Sequence, residues 1–175
     1  SDLIADVRHL GTLWITLSLT TTTLMWTAAA WAQERLVERV GARRLVIAGH
    51  GIILVSIAVT AFYLVDAVPF WVGFAGWTCG GFGIGLAYAP ISLVVLREAE
   101  PGREGAATSS LQLTEQLGVA LGIGLGGAAV AIGARQGWTA ATGIAVAWII
   151  GGLVAAIGML VARRLPGPVA LDRSS

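Results

Sequence analysis

Glu34-Arg35-Leu36-Val37-Glu38-Arg39-Val40-Gly41-Ala42-Arg43-Arg44 is a charged island between two apolar stretches, each long enough to cross a bilayer. Outside such islands the chain is poor in charge. Its 175 residues are 56% hydrophobic and 12% charged, with a mean hydropathy of +0.80, where ordinary soluble domains carry about 25% charged residues. A soluble fold has nowhere to hide that much apolar surface, so the composition points to a bilayer.

A hydrocarbon core of about 30 Å needs about 20 predominantly apolar residues at 1.5 Å per helical residue. The sequence predicts five such runs, at about residues 10–32, 45–65, 68–96, 105–134 and 138–162. The breaks between them hold the turn and charge signals: residues 37–44, Asp66 to Pro69, Arg97 to Glu104, and Arg135-Gln136-Gly137. The expected fold class is therefore all-α, a polytopic helical membrane protein with five transmembrane helices. Its short connections predict that consecutive helices pack as neighbours. β-Barrel spans would instead show about ten residues of alternating polarity, a pattern not found here.

The chain has no lysine, so orientation rests on arginine, which favours cytoplasmic loops. Arg35, Arg39, Arg43, Arg44, Arg97, Arg103, Arg163, Arg164 and Arg173 fall on one side and only Arg8 and Arg135 on the other. That asymmetry predicts an inner or plasma membrane protein whose first residues face outside and whose carboxyl end, with residues 166–175 as a short tail, lies in the cytoplasm. The chain opens on Ser1-Asp2-Leu3 with no signal pattern, an opening expected of a segment from within a longer polypeptide.

Several chemistries find no support in the residues. The single cysteine, Cys79, can form no intrachain disulfide, and the sequence suggests neither a metal-ligand cluster nor a cofactor. No phosphate-binding glycine loop, zinc-protease signature or nucleophile elbow appears, so an enzyme is not expected. The pI near 8.0 comes from the arginine-rich side and gives no reason to propose nucleic acid. His9 and His50 are assigned no site.

Two stretches resemble a known family. Glu38-Arg39-Val40-Gly41-Ala42-Arg43-Arg44 is similar to the Asp-Arg-x-Gly-x-Arg-Arg loop that major facilitator superfamily transporters carry after the second helix of each six-helix half. Pro101-Gly102-Arg103-Glu104-Gly105-Ala106-Ala107, followed by Gln116-Leu117-Gly118-Val119-Ala120-Leu121-Gly122, resembles the penultimate helix of drug-exporter-like members. Together they span nearly the whole chain in register. The chain has Glu38 where the family usually has Asp, and Glu34 where it usually has Gly. The resemblance implies that residues 1–165 are the carboxyl-terminal transmembrane domain without its first helix. It also implies that the partners are the bilayer, an amino-terminal transporter half and a small-molecule substrate, moved by proton-coupled efflux through alternating access.

The island has a physical use in such a carrier. Acids and bases at adjacent helix ends can pair in one conformation and separate in the other, which biases the equilibrium between them. Glu34, Glu38, Arg39, Gly41, Arg43 and Arg44 thus make a candidate cytoplasmic gating loop, with Glu38 pairing to Arg39, Arg43 or Arg44. The plainer reading is that these charges only hold the loop at the cytoplasmic face. At 100° per residue, Thr12, Thr16, Thr20, Thr23 and Thr27 fall within about 80° of one another, and Glu34 and Glu38 continue the stripe. That face could line a wet cavity, or its hydroxyls could bond the preceding carbonyls of their own helix.

Glu115 is the one acid placed beyond the loops, with Gln112 and Thr108 on nearly the same helical face. An ionisable residue inside a span is a functional candidate, here for taking up a proton or a cationic substrate in alternation. The alternative is an interfacial acid paired with Arg103, Arg97 or Gln112. Drug exporters often place Arg just before Gln-Leu-Gly, so the family implies no proton-carrying role for Glu115. Trp77 and Tyr88 lie on one face of the third run, where Pro90 removes a donor and predicts a kink. They are candidates for cavity lining, or the proline only bends the helix around its neighbours. Gly76 with Gly80, Gly81 with Gly85, and Gly118 with Gly122 and Gly126 form ladders suited to close helix crossings. A function of another class stays open: a self-contained five-helix scaffold or assembly subunit, with the threonine stripe as a docking face.

Overall fold

A computed structural model of the chain describes residues 12–62 and 68–165, which fold as five helices. They are α1 (Thr12–Val40), α2 (Ala42–Phe62), α3 (Phe70–Arg97), α4 (Glu104–Arg135) and α5 (Ala140–Ala162), and no strand occurs among the described residues. The tail at 166–175 and His9 lie outside the described residues.

Local chemistry sets the ends. Gly41 takes φ 85, a left-handed conformation that L side chains resist, and its N–H caps Val37 O at 3.0 Å. That one residue is the whole break between α1 and α2. The expected charged loop is thus helix on both sides: Glu34 to Val40 complete α1, and Arg43 and Arg44 begin α2. Helix continues there because Glu34, Arg35, Leu36 and Arg39 are good helix formers, and only the glycine interrupts them. At the end of α4, Gly137 has φ 76, its N–H reaches Ala134 O at 3.3 Å, and Trp138 N–H reaches Gly133 O at 2.9 Å. These two bonds make a Schellman cap, and the Trp138 ring folds over Gly133, where an added Cβ would meet it at 2.7 Å. Thr139 then caps α5, its hydroxyl accepting from Thr142 N–H at 3.2 Å. α3 stays helical through Pro90, whose side chain is fully buried.

Consecutive helices are not the main neighbours throughout. α1 packs chiefly on α3, α3 on α2, α2 on α5 and α5 on α4, while α1 touches α2, and α3 touches α4, only lightly. Glycine decides this order. A Cβ on Gly81 would sit 2.5 Å from Thr22 O, and one on Gly85 2.5 Å from Trp26 O, so α1 and α3 run parallel with backbones nearly touching. Between α2 and α3, a Cβ on Gly49 would lie 2.7 Å from Gly83 O, and one on Gly76 or Gly80 would strike Thr60 or Ser56 at 2.7 Å. Buried Ser56 uses that proximity to donate to Gly76 O at 2.5 Å. The core at the α1–α2–α3 junction is Ala29, Leu45 and Leu86, with Val37, Val40, Ile52 and Phe82 packed around them.

The outer surface is apolar. Ile123 is 72% exposed and Trp71 67%, with Leu113, Leu121, Val55 and Ile149 similarly open. That is the distribution expected where lipid, not water, is the solvent. Four helices are long and apolar enough to cross a membrane: α2, residues Trp71–Arg97 of α3, α4 and α5. The 29 residues of α1 suffice in length, but its threonines and Glu34, Arg35, Glu38 and Arg39 leave it outside that set. The chain is an all-helical, membrane-embedded protein.

Candidate functional site

Three helices bring one polar cluster together. The Tyr88 hydroxyl on α3 donates to Glu115 Oε2 on α4 at 2.9 Å, and the Tyr88 ring meets Trp26 of α1 edge to face, with centroids 6.0 Å apart and planes at 64°. Trp26 and Tyr88 are exposed at 39% and 38%, and Glu115 is half-buried. The arrangement follows from the tight α1–α3 crossing: Trp26 carries the carbonyl that abuts Gly85, which sets its indole beside Tyr88 one turn further along α3. Two aromatic rings and a carboxylate then share one side of the bundle. That chemistry suits a proton or an organic cation, the rings offering π faces and Glu115 the charge.

The other partners considered for Glu115 are engaged elsewhere or apart. Arg103 pairs with Glu100 at 3.2 Å, both side chains largely in the open. Thr108 donates its hydroxyl to Glu104 O at 2.9 Å, and Gln112 is exposed. Trp77 is 37% exposed, and no ring contact joins it to Tyr88 among the described residues. An open cavity of about 210 Å³ lies at the α3–α4 connection, lined by Ala99, Glu100, Arg103, Ala106, Ala107 and Ser110, and it does not reach Glu115.

From Thr16 onward the threonine stripe faces away from the bundle; the Thr12 side chain lies outside the described residues. Thr16, Thr20, Thr23 and Thr27 are exposed, and the last three donate to the carbonyls of Thr16, Leu19 and Thr23 at 2.9, 3.0 and 3.0 Å. The threonines that serve packing are their neighbours: Thr22 against Gly81, and Thr21, whose hydroxyl lies 3.3 Å from that of Thr78. Thr21, Thr78 and above all Trp26 are what the sequence reading missed. The available signal was Trp26 flanking the polar stripe of an otherwise apolar helix.

At the island, Glu34, Glu38, Arg39 and Arg44 are exposed, Arg43 is half-buried and Gly41 is buried. Among the described residues none of these acids and bases forms an ion pair within 4 Å. Adjacent Glu38 and Arg39 point about 100° apart on one helix, and Gly41 redirects the chain before Arg43 and Arg44. Arg35 instead lies over the Trp31 ring, 3.4 Å from its centroid. His50 sits between α2 and α5, its Nδ1 bonded to Val46 O at 2.9 Å and its ring against Gly158. Among the described residues no group of three or more His, Cys, Asp or Glu could hold a metal. The Gly118–Gly122 face of α4 has no neighbour within 4 Å, and Gly126 meets only Ala147 at 3.8 Å, so this ladder, unlike those of α3, is open. Comparison with known proteins matched no family model, no curated protein and no solved structure.

Proposed function

We propose that the chain is the greater part of the carboxyl-terminal half of a major facilitator type transporter, exporting a small organic molecule in exchange for protons. The observation that carries this reading is the Tyr88–Glu115 hydrogen bond, which puts a carboxylate where α3 meets α4, on a tyrosine whose ring in turn meets Trp26 of α1. In this reading α1 is the fifth span, its threonine stripe faces the central cavity, and residues 1–165 form one domain opposed by an amino-terminal half. Glu115 takes a proton in one state; in the other it releases that proton to water and the ionised carboxylate, held in place by Tyr88, binds the cationic substrate. Glu34, Glu38, Arg39, Arg43 and Arg44, hinged at Gly41, meet charges of the opposite half when the cytoplasmic side closes. The arginine-rich ends of the helices face the cytoplasm.

Everted vesicles holding the native polypeptide test the idea. Addition of an exported cation should collapse an imposed proton gradient, and Glu115→Gln should abolish the collapse. Unchanged coupling in that variant sinks the assignment of Glu115.

A second reading, the five-helix scaffold or assembly subunit, is favoured by the open glycine face of α4 and the outward stripe of α1. The intact mass of the native polypeptide separates the two. A mass roughly twice 18.0 kDa or more fits a carrier built of two such halves, and a mass near 18.0 kDa fits the scaffold.

A further inference from the structure

Helices α2 and α5 pack antiparallel. The His50 ring lies against Gly158, and Ile57 lies against Gly152, so the start of α2 and the end of α5 emerge together. From His50 back to Arg44 and Arg43, and from Gly158 forward to Arg163 and Arg164, the rise is about 8–10 Å on both helices. Four arginines therefore start from one level of the backbone at one end of this helix pair. Arg44, Arg163 and Arg164 are exposed and Arg43 is half-buried. Neither helix contains an acid, and the one ion pair between described residues, Arg103 with Glu100, is elsewhere. None of the four forms an ion pair within 4 Å among the described residues, and the nearest acids along the chain, Glu34 and Glu38, are exposed at the end of α1.

What lies beside the four arginines is apolar. Leu153, Ile157 and Leu160 are 60, 60 and 54% exposed on the outer face of α5. From Arg163 to Leu153 this ridge runs about 15 Å, which is one leaflet of a hydrocarbon core of about 30 Å.

We propose that Arg43, Arg44, Arg163 and Arg164 seat the phosphate headgroup of an anionic phospholipid whose acyl chains lie along the outer face of α5. Guanidinium groups bind phosphate oxygens through two parallel N–H bonds, and a basic cluster between helix ends at a membrane surface is a recognised form of headgroup site. The ridge argues for lipid over a free anion, because a small phosphate has no use for three leucine-sized side chains below it. In the carrier reading Arg43 and Arg44 leave the headgroup for the opposite half when the cytoplasmic side closes, while Arg163 and Arg164 hold it in the carrier and the scaffold alike.

Native mass spectrometry of the native polypeptide in mild detergent reads the proposal directly. Phosphatidylglycerol should be retained at least tenfold over phosphatidylcholine of the same chains, and glycerol 3-phosphate should not displace it. Arg163→Gln with Arg164→Gln should weaken retention about 25-fold, at about fivefold per arginine. Arg97→Gln with Arg103→Gln, an equal loss of charge at the α3–α4 connection, should change it less than twofold. Equal retention of the two lipids, an equal effect of the two variant pairs, or displacement by glycerol 3-phosphate each overturns the site, the last by showing a small-anion site instead. The lipid comparison and the displacement use the unaltered protein, so they decide the matter even if a variant fails to fold.

Discussion

Gly85→Ala should loosen the chain through a single contact. The added Cβ would lie 2.5 Å from the Trp26 carbonyl oxygen, 2.9 Å from Ala29 Cβ and 3.0 Å from Trp26 Cδ1. The first of these is backbone and cannot rotate away, so α1 must retreat about 0.9 Å to restore ordinary contact at 3.4 Å. Overpacking of this kind costs about 1–3 kcal/mol. Alanine recovers about 1 kcal/mol of helix propensity, leaving a net loss of about 0–2 kcal/mol against the parent and about 1–3 kcal/mol against an alanine placed in open space. Gly151→Ala is the matched control, since nothing lies within 4 Å of it, and it should be neutral or slightly stabilising. Gly81→Ala strikes the same helix, 2.5 Å from Thr22 O, and the same retreat relieves both clashes. The double variant should therefore lose less than the sum of the two single losses, the sign of coupling expected when sites share one backbone shift. Reversible unfolding in mixed micelles, titrated with SDS, measures all four. If Gly85→Ala proved no less stable than Gly151→Ala, or the double loss were fully additive, the account of the α1–α3 crossing would be wrong.

Gly41→Ala should destabilise by about 1–2 kcal/mol, because φ 85 is left-handed, and Gly41→Asn should lose less; the same titration checks both. Ser56→Ala should cost about 1 kcal/mol through the lost bond to the Gly76 carbonyl, and a loss below about 0.3 kcal/mol would show that bond to be idle. Tyr88→Phe should leave the unfolding free energy within about 1 kcal/mol of the parent, given the partial exposure of the pair, yet slow the proton-coupled export proposed above in everted vesicles. Unchanged export would remove Tyr88 from the mechanism.

Helices with caps or proline at their edges were legible in the sequence. Pro69, Arg97 to Glu104, and Gly137 to Thr139 mark ends within two residues of those observed, because backbone conformation there is dictated by the residue itself. The island was read as a loop because charge density signals an exit from the bilayer, and charge does not forbid helix; only Gly41 does. Helix pairing was beyond the sequence. That Gly81 and Gly85 favour a close crossing could be read, but that the partner is Thr22 and Trp26 of α1 depends on how five apolar faces divide their contacts. The site behaved alike. Tyr88 and Glu115 each stood out alone, and their bond, across 27 residues, exists only once α3 and α4 touch.

The two polar features of the bundle carry unequal weight. A hydroxyl bonded to the carbonyl one turn back has its proton satisfied, so Thr20, Thr23 and Thr27 can face hydrocarbon at little cost. A carboxylate cannot. Tyr88 supplies Glu115 with one donor, while an ionised carboxylate has about four lone-pair sites to fill. The side of the bundle where Glu115 is half-exposed therefore calls for water, a cation or a proton in a way that the stripe on α1 does not. Replacing Thr20, Thr23 and Thr27 together with valine should leave stability within about 1 kcal/mol of the parent, since each change removes a bond internal to one helix. Glu115→Leu should stabilise the isolated chain in detergent and, on the proposed transport reading, abolish coupled export by the native polypeptide. The opposite pattern, with Thr→Val abolishing export and Glu115→Leu sparing it, would move the site from the α3–α4 contact to the outer face of α1.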